Sequence, residues 1–197
     1  MLLNNDSLLF FTSHLILRKF EEKDFIKYKN YHSLPEVYKF LYTPLPTDKE
    51  IREQFNKVLN PAFNDNGDEI RLAVVLREHN DLAGEIMLRV TSKESQQGEI
   101  GCIFHPLYQK KSIGTESLGA LIDISFNYFK YHRIYARLDT LNLGSKKLVE
   151  KLGMRQEAHL LQNEYVNRIW SDMYIYAILK DEWKVPRFLK GYDTNIK

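Results

Sequence analysis

The chain has 197 residues, of which 44% are hydrophobic and 27% charged, and it carries nine Gly, six Pro and a net charge of +2. This composition excludes the disordered, collagen-like and low-complexity classes, and the balanced charge gives no electrostatic basis for a nucleic-acid partner. The single cysteine, Cys102, excludes an intrachain disulfide and a cysteine-built zinc site.

The chain is expected to fold as one unit in the cytoplasm. Met1–Phe11 has no basic n-region, which predicts no signal peptide, and no apolar run reaches the ~18–20 residues that a membrane span needs. No repeat or linker rich in Pro, Gly or Ser divides the sequence, so we expect a domain over residues 1–183 and a tail over 184–197, acting as a monomer or homodimer. Trp183 and Phe188 predict partial docking of the chain end.

Hydrophobic periodicity predicts the regular elements, because alternation indicates strands and apolar residues three or four apart indicate helices. In chain order these are a strand at His14–Arg18, helices at Glu21–Tyr31, Glu36–Leu41 and Thr47 to about Asn60, strands at Ile70–Leu76, Leu82–Val90 and Glu99–Phe104, a helix at Thr115–Lys130, a strand at Arg133–Leu138, a helix at Gly144–Lys151, and strands at Arg155–Asn163 and Trp170–Leu179.

The turn signals complete this assignment. Thr47 and Glu50 form a capping box, Gly153 is expected to close a helix in a left-handed cap, and Tyr165-Val166-Asn167 marks the last hairpin turn. The order β-α-α-β-β-β-α-β-α-β-β predicts an α/β (α+β) fold with a mixed sheet, whose parallel pair is linked by the helix that starts at Thr115.

The stretch from Glu99 to Glu116 reads as strand, loop and helix. Small residues at Ser112 and Gly114 precede the helix, where free amides and the positive helix end suit a pyrophosphate, and two lysines add charge. An ordinary solvated loop explains the same residues. The fingerprints of dinucleotide-binding and Walker-type loops are absent.

Four motifs follow one another in the chain. They are Leu15-Ile16-Leu17-Arg18 with Asp24, then Gln109-x-x-Ser112-x-Gly114 with Thr115-Glu116, then Asn142-x-x-Ser145 with Glu150-Lys151-Leu152-Gly153-Met154, and finally Trp170-Ser171-Asp172-Met173 with Tyr176-Ala177 and Glu182-Trp183. Together they resemble the GNAT superfamily of N-acetyltransferases, and within it the RimJ/RimL-type enzymes that act on ribosomal-protein N-termini. The resemblance implies a mostly antiparallel seven-stranded sheet flanked by helices.

The resemblance also implies that acetyl-CoA is the cosubstrate and that no metal takes part. The amides of the loop would bind its phosphates, through the residues Gln109, Lys110, Lys111, Ser112, Ile113, Gly114 and Thr115. A bulge in the predicted strand Glu99–Phe104 would let backbone N–H groups near Ile103 and Phe104 polarise the acetyl carbonyl. Ser112 departs from the family's glycine, and a positive φ there would strain it.

Three side chains are candidates for acid–base chemistry. An amine must lose a proton before it attacks, and Glu164, eleven residues after Gly153, matches the position of the RimL-type glutamate. Glu99, at the start of the predicted strand Glu99–Phe104, is the alternative base. Either glutamate could instead be a solvent-facing residue with no catalytic role. Ser145 would assist the departing thiolate and Asn142 would hold the pantetheine arm, although both residues also suit a helix cap.

The acceptor is expected to be a primary amine, either a protein N-terminus or a small amine. Aromatic residues of the early helices fit the wall of an acceptor pocket and fit core packing equally well: Tyr28, Tyr31, Tyr38, Phe40 and Tyr42. Asp65, Asp68 and Glu69 could make such a pocket acidic. The non-enzymatic alternative is a module of this fold that binds acyl-CoA or a partner without turnover.

Overall fold

A single sheet organises the chain, and the computed structural model describes residues 8–166, 168–184 and 188–192. The strands are β1 (Leu9–Phe11), β2 (Leu15–Arg18), β3 (Glu69–Leu76), β4 (Asp81–Ser92), β5 (Gln97–Phe104), β6 (Arg133–Asp139), β7 (Arg155–Val166), β8 (Ile169–Leu179) and β9 (Gly191–Tyr192). The helices are α1 (Phe25–His32), α2 (Pro35–Tyr38), α3 (Asp48–Leu59), α4 (Ile113–Asn127) and α5 (Leu143–Lys151).

The strands lie in the order β7-β8-β6-β5-β4-β3-β2-β1-β9. Every neighbouring pair is antiparallel except β5 and β6, which α4 connects. This confirms the mixed sheet and its helical crossover. The expected seven strands become nine, because the short β1 and β9 add to one edge, and strands of two or three residues carry too little alternation to be predicted.

Helices cover both faces of the sheet. Successive residues of β3 show this arrangement: Leu72 and Val74 belong to the core beneath α4, whereas Ala73 and Val75 belong to the core beneath α1 and α3. Nearly every residue of α4 from Ser117 to Phe126 is buried, as expected for a helix packed into the main core. Burial on both faces explains why the central strands are apolar at consecutive positions.

The predicted caps are present. Thr47 accepts a hydrogen bond from the Glu50 amide while the Glu50 carboxylate accepts from the Thr47 amide, so the capping box opens α3. Gly153 has φ +81°, the left-handed conformation that ends a helix. The predicted turn at Tyr165-Val166-Asn167 includes Asn167, which lies outside the described residues, and Tyr165 and Val166 belong to β7.

The end of the described chain docks onto α4, as its aromatic residues predicted. Trp183 Nε1 donates to Asp123 Oδ1 at 2.6 Å, and the amides of Phe188 and Leu189 donate to Asp123 Oδ2 at 3.3 Å. The Phe188 ring lies directly over Gly119, where a Cβ atom would come within 2.2 Å of it. Within the described ranges, no helix is long and apolar enough to cross a membrane.

Candidate active site

The sheet opens between its two parallel strands. Pairing of β5 with β6 runs only from Gln97↔Arg133 to Glu99↔Tyr135, whereas β5 continues to Phe104 and β6 to Asp139. The far ends of the two strands therefore border a gap instead of each other. Backbone groups on the gap side of β5 have no partner strand and can meet a ligand.

The register decides which amides of β5 face this gap. The His105 amide donates to the Ala83 carbonyl of β4 at 3.0 Å. Because donors alternate sides along a strand, the Ile103 amide also points at β4, and those of Cys102 and Phe104 point into the gap. The Phe104 amide thus faces the gap, whereas the Ile103 amide does not and the Cys102 amide faces the gap in its place; that such amides polarise an acetyl carbonyl stays a prediction.

The expected bulge in β5 is also corrected. The pairing of β4 with β5 is unbroken from Gly84↔Phe104 to Val90↔Gly98, and the next irregularity lies at Val90/Ser92, far from Ile103. The strands separate because β5 and β6 diverge, not because β5 gains an extra residue.

The loop before α4 holds two residues in the left-handed conformation. Lys110 has φ +60° and Ser112 has φ +64°, so the position where a glycine is usual does require a positive φ. Ser112 is the N-cap of α4, yet its side chain accepts no capping hydrogen bond. Left-handed residues in such a loop turn neighbouring amides toward one point, which is the geometry that binds a phosphate group.

A cavity of about 680 Å³ lies beside the gap, on the α1 side of the sheet. It brings together five of the predicted site residues: Glu99, Ile103, Asn142, Ser145 and Glu164. Other predicted residues lie at the start of α4 instead, because the loop there forms a separate part of the site: Gln109, Lys110, Lys111, Ser112, Ile113, Gly114 and Thr115. Phe104 is close to both regions, 3.6 Å from where a Cβ atom on Gly114 would lie.

An irregularity in the pairing of β7 with β8 orients the Glu164 side chain. Leu160 pairs with Met173 and Glu164 with Ser171, so three residues of β7 stand opposite one residue of β8. Gln162, inside this insertion, has φ +48° and donates its amide to Asp172 Oδ1 at 2.8 Å. Such bulges redirect the side chains that follow them. Here the half-buried Glu164 carboxylate reaches the cavity, and it accepts from Asn163 Nδ2 at 3.2 Å.

Glu99 is held by cations on both sides. Arg137 Nε lies 2.9 Å from one carboxylate oxygen and Arg89 Nη1 lies 3.6 Å from the other. Glu99 is 7% exposed, and both of its carboxylate oxygens are occupied by these ion pairs. Of the two predicted bases, only Glu164 forms no ion pair with any described residue.

Glu99 is the fifth of six alternating charges on the cavity side of the sheet. From β3 to β6 the row runs Glu85, Arg71, Glu69, Arg89, Glu99 and Arg137, each joined to the next by an ion pair. Three carboxylates and three guanidiniums balance, so the row adds no net charge to the cavity wall.

The inner end of the row is fully buried. Glu85 accepts from Tyr31 Oη at 2.9 Å and lies 3.4 Å from His32 Nε2, in addition to its contact with Arg71. Burial opposes ionisation of Glu85, but the positive charge of Arg71 and the hydrogen bonds from His32 and Tyr31 lower its pKa to about 2. Glu85 is therefore ionised at neutral pH.

Asn142 and Ser145 have the geometry of a helix cap, which is the alternative role expected for them. Asn142 Oδ1 accepts from the Ser145 amide at 3.0 Å and begins α5. Both residues also line the cavity. Capping and a contact with substrate are compatible, because the cap uses the Ser145 amide and leaves its hydroxyl available.

The early aromatic residues divide between the two roles. Tyr28 and Tyr31 are 1% exposed and pack in the core beneath α1, and Tyr28 also borders the cavity. Tyr38, Phe40 and Tyr42 line the cavity as well. Of the predicted acidic residues, Glu69 joins the charge row, but Asp65 and Asp68 are not among the lining residues. The Asp68 carboxylate caps its own loop by accepting from the Asp65 and Asn64 amides.

Comparison with known proteins decides the family. Residues 14–155 match the model of the acetyltransferase (GNAT) domain. The chain belongs to the GNAT acetyltransferase family. It is 31% identical to the uncharacterised N-acetyltransferase YnaD of Bacillus subtilis, over 87% of this chain and 97% of the relative. A GNAT-family acetyltransferase structure from Bacillus anthracis matches with a TM-score of 0.80 and 30% identity, over 89% of this chain and all of that one. The spermidine N(1)-acetyltransferase of Vibrio cholerae is 24% identical over 87% of this chain and 96% of the relative.

Membership makes this chain an acetyl-CoA-dependent N-acetyltransferase, as the motifs predicted. Cys102, on the gap-bordering strand, is not suited to nucleophilic catalysis, because burial and the charge of Glu85 raise the pKa of its thiol to about 12. In the described ranges, no group of three or more His, Cys, Asp and Glu side chains could hold a metal ion.

Sequence reasoning missed most of the charge row and Asp139, which lines the cavity at the end of β6. A signal for the row was available. Charged residues occupy alternate positions of β3 (Glu69, Arg71) and of β4 (Glu85, Arg89) between apolar ones, which marks a polar strip on one sheet face.

Proposed function

We propose that this GNAT enzyme transfers the acetyl group to a primary amine by direct attack, with Glu164 as the general base. One observation carries the proposal: the gap between β5 and β6 joins an amide-rich helix start on one side to a carboxylate-lined cavity on the other. An acyl donor and an amine can then meet without a covalent enzyme intermediate.

The loop before α4 would hold the donor. The amides of Lys110–Thr115 and the positive end of a 15-residue helix fit a pyrophosphate, and the Lys110 and Lys111 side chains add positive charge. Asn142 would contact the pantetheine arm as it passes through the gap. The thioester would then lie beside the Cys102 and Phe104 amides, which can donate to its carbonyl oxygen.

The chemical step needs one proton acceptor and benefits from one donor. Glu164 takes a proton from the ammonium, since an aliphatic amine with a pKa near ~10.4 is otherwise almost fully protonated at neutral pH. The freed lone pair forms the C–N bond, the C–S bond breaks, and the nitrogen gives up a second proton, which the departing thiolate takes up. The leaving thiol has a pKa near ~8.5, so a hydrogen bond from the Ser145 hydroxyl and the start of α5 suffices to stabilise the thiolate.

We favour a small aliphatic amine as acceptor. Asp139 and Glu164 line the cavity without forming an ion pair with any described residue, and two such carboxylates attract a cation. The relation to a spermidine N(1)-acetyltransferase supports this class. The alternative, a protein N-terminal α-amine in the RimJ/RimL manner, rests on the motif arrangement of Asn142, Ser145 and Glu164.

The test combines binding with turnover. Acetyl-CoA is titrated by calorimetry, and thiol release is then followed with spermidine, with n-butylamine and with a short peptide that has a free α-amine. We expect micromolar binding and release that depends on a small amine. Release with the peptide alone would support the N-terminal acceptor, and binding without release from any amine would favour the non-catalytic module.

A substitution tests the base. Glu164→Gln should lower kcat by at least 100-fold, the size expected for losing a general base, while acetyl-CoA affinity stays unchanged. Glu157→Gln is the matched control, because Glu157 lies on the same strand and pairs with Arg133 and Arg155 outside the cavity. Unchanged turnover of the Glu164 variant between pH 6 and pH 9 would remove this residue from the base role.

A further inference from the structure

The hydroxyl of Tyr42 is buried in the cavity without a well-formed hydrogen bond to a described residue. Tyr42 lies in the irregular segment between α2 and α3 and lines the cavity. Its Oη atom is shielded from solvent and makes no hydrogen bond of ordinary geometry to any residue that the structure describes. Buried polar groups are nearly always paired, so an orphaned hydroxyl inside a substrate cavity points to a partner that arrives with the substrate.

Two carboxylates and one guanidinium line the same cavity as this hydroxyl. Burial, then the negative charges of Asp139 and Glu164, and finally a polar contact with the Asp139 side chain raise the pKa of the Tyr42 phenol, whereas the positive charge of Arg137 lowers it. Arg137 is itself bound to Glu99 at 2.9 Å. The phenol therefore stays neutral and protonated. Asp139 and Glu164, which form no ion pair with a described residue, supply negative charge in the same cavity.

The donor count of a primary ammonium matches this arrangement. R–NH₃⁺ carries three N–H donors, and Tyr42 Oη, Asp139 and Glu164 offer one acceptor group each. Asp139 already accepts from the Leu141 amide at 2.8 Å, yet a carboxylate has about four lone-pair sites and keeps capacity for more. The O–H of Tyr42 can donate to Asp139 and leave its own lone pairs for the ligand.

We propose that Tyr42, Asp139 and Glu164 form an ammonium cradle that binds the acceptor and selects primary amines. The proposal rests on the function proposed above and adds the residue that sets its specificity. Each N-methyl group on the acceptor removes one donor, so the cradle binds a dimethylated amine through a single hydrogen bond. In a primary ammonium, the third N–H group donates its hydrogen bond to Tyr42 Oη.

Binding of simple amines tests the cradle without requiring turnover. Wild type and Tyr42→Phe are saturated with CoA, and binding of n-butylamine and of N,N-dimethylbutylamine is measured by ligand-observed NMR. We expect Tyr42→Phe to bind n-butylamine about tenfold more weakly, the effect of losing one hydrogen bond to a charged group, and to bind the dimethyl analogue within twofold of wild type.

Stability supplies the second readout. Removal of an orphaned hydroxyl leaves no group unpaired, so the thermal midpoint of Tyr42→Phe should equal or exceed that of wild type, with CoA affinity unchanged. Tyr131→Phe is the matched control, because Tyr131 is a core tyrosine outside the cavity, and its variant should bind both amines like wild type.

Three results would overturn the cradle: no binding of n-butylamine to wild type, equal binding by Tyr42→Phe, or an equal loss for both amines. The proposed function fails separately. If wild type binds n-butylamine through Tyr42 but releases no thiol from acetyl-CoA with any amine, the cradle stands and the transfer reaction does not.

Discussion

Ser112→Gly should stabilise the protein. Ser112 has φ +64° and its side chain caps nothing, so the residue carries the strain of a left-handed backbone with no compensating hydrogen bond. Relief of that strain is worth about 1–2 kcal/mol, and the greater freedom of glycine in the unfolded chain offsets about half of it. The net gain is about 0.5–1 kcal/mol, or a rise of roughly 1–4 °C in the thermal midpoint for a chain of this size.

The reverse substitution at Gly153 calibrates this estimate. Gly153 has φ +81°, and a Cβ atom there would have no neighbour within 4 Å, so Gly153→Ala introduces backbone strain without a clash. Urea unfolding should show a loss of about 1 kcal/mol for this variant and a gain for Ser112→Gly. The reasoning is refuted if Ser112→Gly is no more stable than wild type while Gly153→Ala is destabilised as expected.

The same variant bears on cofactor binding. The left-handed conformation at Ser112 is part of the loop that leads into α4, so we expect its strain to belong to folding and to cancel between the free and bound states. Acetyl-CoA affinity of Ser112→Gly should therefore stay within about threefold of wild type by calorimetry.

Two further predictions concern stability. The lowered pKa of Glu85 contributes stability that is present above pH 4.5 and lost as the pH falls toward 2. Glu85→Gln should therefore destabilise the protein by roughly 3 kcal/mol at pH 7 and by much less at pH 2, measured by urea titration. A destabilisation that stays constant with pH would contradict this prediction. Asp123→Asn places donors opposite the tail amides and should cost about 1–3 kcal/mol, with faster proteolysis near Trp183, and unchanged proteolysis would show that the tail docks without Asp123.

Local patterns were enough to predict the central strands and α4. Central strands such as β3 are apolar runs bounded by turn residues, and the apolar residues of α4 lie three or four apart. Thr47 and Gly153 mark helix ends by mechanisms that act within one turn. The sequence raises a positive φ at Ser112 only as a condition, through the glycine that the resemblance places at this position, and the structure has it.

The site escaped prediction where it depends on distant parts of the chain. The insertion before Glu164 is defined only by the pairing of β7 with β8. Its left-handed residue is a glutamine, Gln162, so no glycine in the sequence indicates a positive φ at this position. Tyr42 lies in a segment without periodicity, so nothing in the local sequence distinguishes a cavity wall from core packing. Which β5 amides face the gap depends on register with β4, which a single strand cannot encode.

The divergence of β5 and β6 gives this sheet an edge in its interior. Six strands lie on one side of it and three on the other, joined by a ladder of three residue pairs at one end. Outer edges of sheets invite other chains to pair and aggregate, and proteins protect them with charges or covering loops. An inner edge is restricted in a different way, because the three residue pairs between β5 and β6 hold one end of the gap closed and leave only the diverging ends of the two strands unpaired.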